Sequence, residues 1–211
     1  MSKYNDEYFI ALLPPGDDQI YLKPNSQTAK RKYHYTKLNL GEAPLFFQNS
    51  YRESDNNQWA ITNVLVDMSG LLVTQPIYEA IRVYGIDSMQ TYPSVYVDDN
   101  GTYHEEYWYI GFVDELQCLN AEDSSIVLFD FDEEDEDEDD EERLEVKKYS
   151  LDDATLDNIP EEQRLMFKIG GCSKKHVFVH RKIVDIFERN NALGVRFFKV
   201  SDFKEGDQFR L

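Results

Sequence analysis

Two stretches of the chain repeat one pattern at a spacing of 106 residues. Residues 73–92 read VTQPIYEAIRVYGIDSMQTY, and residues 179–198 read VHRKIVDIFERNNALGVRFF. Few letters coincide, but the residue classes align without a gap. In the first copy Ile77, Ala80, Ile81 and Tyr84 fall at helical spacing and make one apolar face. In the second copy Ile183, Ile186, Phe187 and Asn190 take those places. Each helix ends on a residue that enters the left-handed region readily, Gly85 in one and Asn191 in the other. Thr74 is placed to cap the first helix through its hydroxyl, and Pro76 is tolerated in a first turn. Apolar runs flank both helices. The pattern predicts an α+β fold, mostly antiparallel, with amphipathic helices at about 75–84 and 181–190 in repeated strand–helix–strand modules.

The remaining segments read largely as strands. YFIALL and QIYL flank the turn-forming PPGDD, APLFFQNS is short and apolar, and WAITNVLV reads as a strand. KPNSQTAKRKYHYTK is polar and basic and predicts an exposed loop. SVYVDDNGTYHEEYWYIGFV alternates around Asn100-Gly101, a hairpin signal because that pair accepts the positive φ of a tight turn. Asn100-Gly101-Thr102 also fits the glycosylation pattern, and the turn is the simpler reading. A strand is expected in LEVKKYSL, one helical turn in LDDATLDNIPEEQ, and a strand ending at paired glycines in RLMFKIGG. Residues 1–60 form a β-rich segment in this reading, and 61–211 form the body.

Charge narrows the partners. The 211 residues carry 41 acids and 22 bases, a net of −19. Residues 130–142, DFDEEDEDEDDEE, hold 12 acids in 13 positions. Setting those twelve aside leaves 29 acids against 22 bases, a net of −7. Neither the body nor the run offers the basic face that a phosphate backbone demands, so nucleic acid is not an expected ligand. A basic protein surface suits the charge better. Charge this dense repels itself and predicts a solvated loop. The run lacks the glycine that gives a calcium loop its bend.

A search for chemistry returns little. His176 and His180 are four apart, but Val177, Phe178 and Val179 between them read as a strand, so the two rings diverge and no metal site is expected. Cys118 and Cys172 lie among apolar neighbours and predict buried free thiols. Gly170-Gly171 is followed by Cys-Ser-Lys-Lys, which is not a phosphate loop. Among Asp114, Glu115, Asp152 and Asp153, nothing selects an acid/base pair. No cofactor is implied. The opening MSKYNDEYF lacks a secretory pattern and no apolar run nears the roughly 20 residues of a membrane helix, so a cytoplasmic protein without membrane contact is expected. Exposed loops carry recognition more often than core strands. The candidate contacts are therefore Asp98, Asp99 and Asn100 at the hairpin tip, with Asp132, Glu133 and Asp135 in the acidic loop. From the residues alone, an acidic nucleic-acid mimic, a chaperone-like binding protein and an enzyme all stay open, as does the oligomeric state.

The order of segments adds a resemblance. VLVDMSGLLVTQPIYEAIRVYGIDSMQTYPSVYV, YWYIGFVDELQCLNAEDSS, LEVKKYSLDDATLDNIPEEQRLMFKIGG and HVFVHRKIVDIFERNNALGVRFFKVSDF follow one another. In this the chain resembles a family of bacterial immunity proteins, the small partners of polymorphic toxins delivered by contact-dependent or type VI secretion, first catalogued as a domain of unknown function. Residues 72–93, 107–124 and 144–203 carry the likeness. Asn120 stands where the family pattern has an acid, Gly111 stands where it has Asn, and the acidic run is extra. The resemblance implies a cytoplasmic protein, not an enzyme, that neutralises a cognate toxin by steric and electrostatic occlusion.

Overall fold

The computed structural model describes residues 2–16, 19–51, 59–67, 70–128 and 144–210. In order the chain forms β1 (Tyr8–Leu12), β2 (Leu22–Pro24), α1 (Ser26–Lys30), β3 (Leu45–Asn49), β4 (Val64–Asp67), β5 (Gly70–Thr74) and α2 (Gln75–Arg82). Next come β6 (Met89–Val97), β7 (Tyr103–Phe112), β8 (Glu115–Leu116), β9 (Ser125–Leu128), β10 (Leu144–Lys148) and α3 (Asp153–Asp157). The last elements are β11 (Met166–Ile169), β12 (Val177–His180), α4 (Arg181–Arg189) and β13 (Arg196–Lys199). Among the described residues no helix is long and apolar enough to cross a membrane.

Both strand–helix–strand modules are present and share one construction. β5 and β6 each run antiparallel to β7, which lies between them. Likewise β12 and β13 each run antiparallel to β1. The middle strand sets the two outer ones roughly 10 Å apart, about the width of the helix that joins them. The modules differ in where the middle strand originates: β7 follows β6 directly, whereas β1 comes from the far end of the sequence. Around these triplets grow a six-stranded sheet, β2-β3-β6-β7-β5-β4, and a five-stranded sheet, β13-β1-β12-β11-β8. All pairings are antiparallel except β3–β6 and β8–β11. The fold class is thus α+β with mostly antiparallel sheets, as the pattern predicts.

Helix faces and strand alternation assign the residues to three cores. Ile77 and Ile81 of α2, with Ile183 and Phe187 of α4, pack with Val73 and Ile110 of one sheet and Ala11 and Val179 of the other. The opposite faces are buried too. Tyr8, Ile10 and Phe178 meet Val146, Tyr149 and Phe203 on the outside of the five-stranded sheet. Leu72, Tyr107 and Tyr109 meet Ile20, Tyr33, Leu45 and Phe47 on the outside of the other. With both faces covered, the central strands read as continuous apolar runs rather than alternations.

The helix ends refine the expectation. Gly85 and Asn191 hold positive φ, 59° and 50°, as their positions predict. Thr74 occupies the N-cap of α2, but its hydroxyl makes no capping hydrogen bond. The equivalent N-cap of α4 is His180, whose Nδ1 accepts the Lys182 N–H at 3.2 Å.

Three local readings change. The strand expected in QIYL begins only at Leu22, as β2, which lies in a different sheet from β1. The strand expected in WAITNVLV begins only at Val64, because Asn63 is engaged elsewhere. Its Nδ2 donates to the Asn190 and Asn191 carbonyls that end α4, and its Oδ1 accepts the Leu193 N–H at 2.7 Å. The basic stretch expected as an exposed loop contains α1, capped by the Asn25 side chain on the Thr28 N–H, and buries Tyr33. Lys30, Lys32 and Lys37 point outward, which is what the polar composition registered.

Candidate partner-binding surface

Asp98, Asp99 and Asn100 lie where expected, in the connection between β6 and β7. The turn closes through Gly101 N–H to Asp98 O at 3.0 Å and Asp98 N–H to Thr102 O at 3.0 Å, with Gly101 alone taking positive φ. The Asp98 carboxylate builds the turn itself. Its Oδ1 accepts from Asn100 N–H at 2.9 Å and Thr102 N–H at 2.8 Å, and its Oδ2 lies 3.2 Å from His104 Nε2. Burial alone would raise this carboxyl, but the hydrogen bonds from Thr102, His104 and Asn100 outweigh it and hold the group below its ordinary range. Asp98 is therefore occupied, whereas Asn100 is exposed at the tip.

Asp132, Glu133 and Asp135 lie outside the described residues. The strands on either side of their run are described. β9 and β10 pair antiparallel, with Leu128 opposite Leu144. Val146 of β10 is fully buried in the outer core of the five-stranded sheet, and Ile126 of β9 packs against the same core. The two candidate patches thus spring from different sheets.

A second group of titratable side chains escapes a sequence reading altogether. The segment after α1 crosses the six-stranded sheet and inserts Tyr33 and His34. Tyr33 Oη donates to Asp67 Oδ2 at 3.1 Å, and His34 Nε2 lies 3.6 Å from the same carboxylate. From the other sheet, Lys168 on β11 donates to the His34 carbonyl at 3.4 Å. Its nearest carboxylate oxygen, Glu115 Oε1, is 4.0 Å away, and Glu115 pairs more closely with Lys175 at 2.8 Å. Burial, then the positive Lys168, pushes the His34 imidazole down to about 4, so it is neutral at pH 7. Burial also lowers the Lys168 ammonium and, with Asp67, drives the Tyr33 phenol far up. Tyr109 closes the group by lying over Gly70 and Gly111, directly opposed glycines on β5 and β7. A Cβ on Gly111 would fall inside the Tyr109 ring. With Lys168 only 1% exposed and Asp67 7%, these groups face one another and tie the two sheets together. A Tyr-His-Tyr triplet among lysines is the sequence signal for such an inserted segment.

The thiols and remaining histidines are placed in the interior. Burial pushes the Cys118 thiol up to about 12 and raises Cys172, so neither is a ready thiolate. His180 caps α4, while His176 lies 3.9 Å from Glu205 and edge-on to Tyr149. Among the described residues no cluster of three or more His, Cys, Asp or Glu side chains is arranged to hold a metal ion. Asp152 caps α3 on the Thr155 N–H, and Asp153 accepts from Ser2, so these carboxylates serve the fold.

No protein-family model matches the chain, and no curated protein matches its sequence.

Proposed function

We propose that the chain is a toxin-neutralising binding protein, acting in the cytoplasm by covering a basic surface of its partner and catalysing no reaction. The immunity-family resemblance supplies the biological setting. One observation carries the physical reading: twelve acids fall between β9 and β10, whose near ends pair at Leu128 and Leu144 and whose Ile126 and Val146 belong to a buried core. Anionic charge is thereby delivered from a fixed stem. Such charge speeds encounter with a cationic partner and competes with a polyanionic substrate for the same face.

The test is co-expression with the toxin encoded beside this chain's gene, scored for survival, together with affinities of the purified pair at low and high salt. The reading expects survival, and an affinity that falls as salt rises. Deleting residues 130–142 distinguishes occlusion by the body from nucleic-acid mimicry by the run. Occlusion predicts weaker but measurable binding, while mimicry predicts none. Killing undiminished by the protein, or turnover of a small compound by the purified chain, would overturn the proposal.

A further inference from the structure

A cleft of about 310 Å³ opens between residues 37–40, the start of β6 and the residues just after β7. Its outer wall is held in place by β6. Gln90 donates from Nε2 to the Tyr33 carbonyl at 2.8 Å, and its Oε1 accepts the Leu38 N–H at 3.1 Å. Two residues on, Tyr92 Oη donates to the Asn39 carbonyl at 2.8 Å and the Glu42 carbonyl at 3.1 Å. Leu40, between the two carbonyls that Tyr92 anchors, is held 89% exposed at the rim. The cleft is therefore formed before any partner arrives, which reduces the ordering cost of binding.

Its chemistry is mixed in a particular way. Leu38, Met89 and Val113 supply apolar wall. Ser88 also lines the cleft, but its Oγ is itself buried. Asp87 and Asp114 are exposed carboxylates of the lining, against one lysine, Lys37, among the described lining residues. Gln90 contributes no spare amide, since both ends of it hold the wall. What the cleft offers a visitor is thus an apolar passage and an excess of negative charge.

We propose that this cleft receives an arginine side chain of the basic partner; the inference rests on the reading of the chain as a binder of such a partner. Arginine combines an apolar stem with a planar head that is always charged, carries five donors and sheds water more readily than an ammonium. The stem covers the Leu38 and Met89 wall. The head meets the Asp87 and Asp114 carboxylates. Leu40 then forms part of the ring that keeps water from the contact.

n-Propylguanidine, which is arginine's side chain capped at Cβ and carries a single charge, tests the site on the free protein at low salt by amide chemical shifts. The proposal expects saturable shifts confined to residues 37–40, 87–91 and 113–114, with a roughly millimolar dissociation constant. It expects binding about tenfold weaker in the D87N/D114N double variant, further weakening with salt, and weaker binding of n-pentylamine, which lacks the planar head. Absence of shifts in the cleft, indifference to the double variant, or equal binding of n-pentylamine would overturn it. Because the titration needs no toxin, its failure leaves the neutralisation assay readable, and a failed neutralisation assay leaves the titration readable.

Discussion

His34 and Lys168 meet where the two sheets meet, and each is destabilised in its charged form by the same burial. The sign of the pH effect follows from the imidazole. Its pKa is lowered from 6.5 to about 4 in the folded chain, so between those values the unfolded chain binds the extra proton. His34's contribution is complete above pH 6.5 and is lost as pH falls towards 4, a change on the order of 2–3 kcal/mol. Urea midpoints at pH 7 and 4.5 should therefore converge more closely in His34→Gln than in the parent. Lys168 is the complementary case. Its ammonium is buried with one long hydrogen bond and a carboxylate at 4.0 Å, and Glu115 retains Lys175 without it. Lys168→Met should leave stability unchanged or raise it by about 1 kcal/mol. It should also raise the His34 titration midpoint, read by NMR, because one of the two causes of the depression is gone. Gly111→Ala tests the glycine notch: its methyl displaces the Tyr109 ring, and denaturation should show a loss of roughly 1–3 kcal/mol. Little of this residue-level arrangement was legible in advance. The Tyr33-His34 pair, Asp67 and Lys168 are far apart in sequence, and no local period announces contacts made between sheets.

At the scale of elements, legibility follows the strength of the local signal. α2 and α4 are predicted at nearly their true lengths because apolar residues at helical spacing, four in one and three in the other, fall on one face and a left-handed residue follows. α1 went unseen because its one buried side chain, Thr28, is polar and its cap, Asn25, sits among other polar residues. The hairpin tip was found, yet its leading acid proved to be part of the turn, a role visible only once Asp98 is seen accepting from Asn100 and Thr102. The two N-caps show the limit of residue-type rules: Thr74 has the right chemistry and does not cap, whereas His180 caps through a ring nitrogen. His180→Ala should therefore cost about 1 kcal/mol of stability by chemical denaturation, and Thr74→Ala much less. Neither the cleft beside Ser88 nor its wall could be anticipated, since the wall depends on the Gln90 and Tyr92 side chains reaching a segment some fifty residues earlier.

For the whole molecule, the sequence indicated two modules but not how they are joined. A single core holds both helices and the inner faces of both sheets. The first 60 residues supply β1 to one sheet and β2 and β3 to the other. β1 sits between β12 and β13, more than 160 positions downstream. The six-stranded sheet, by contrast, is complete once β7 has been made. A growing chain can assemble that half while β1 waits, unpaired, for partners more than 160 residues further along. Distant pairing of this kind slows folding and lengthens exposure of an apolar edge. A fragment ending before Val177 would hold Tyr8–Leu12 without either neighbour, and should be prone to associate through that bare apolar strand.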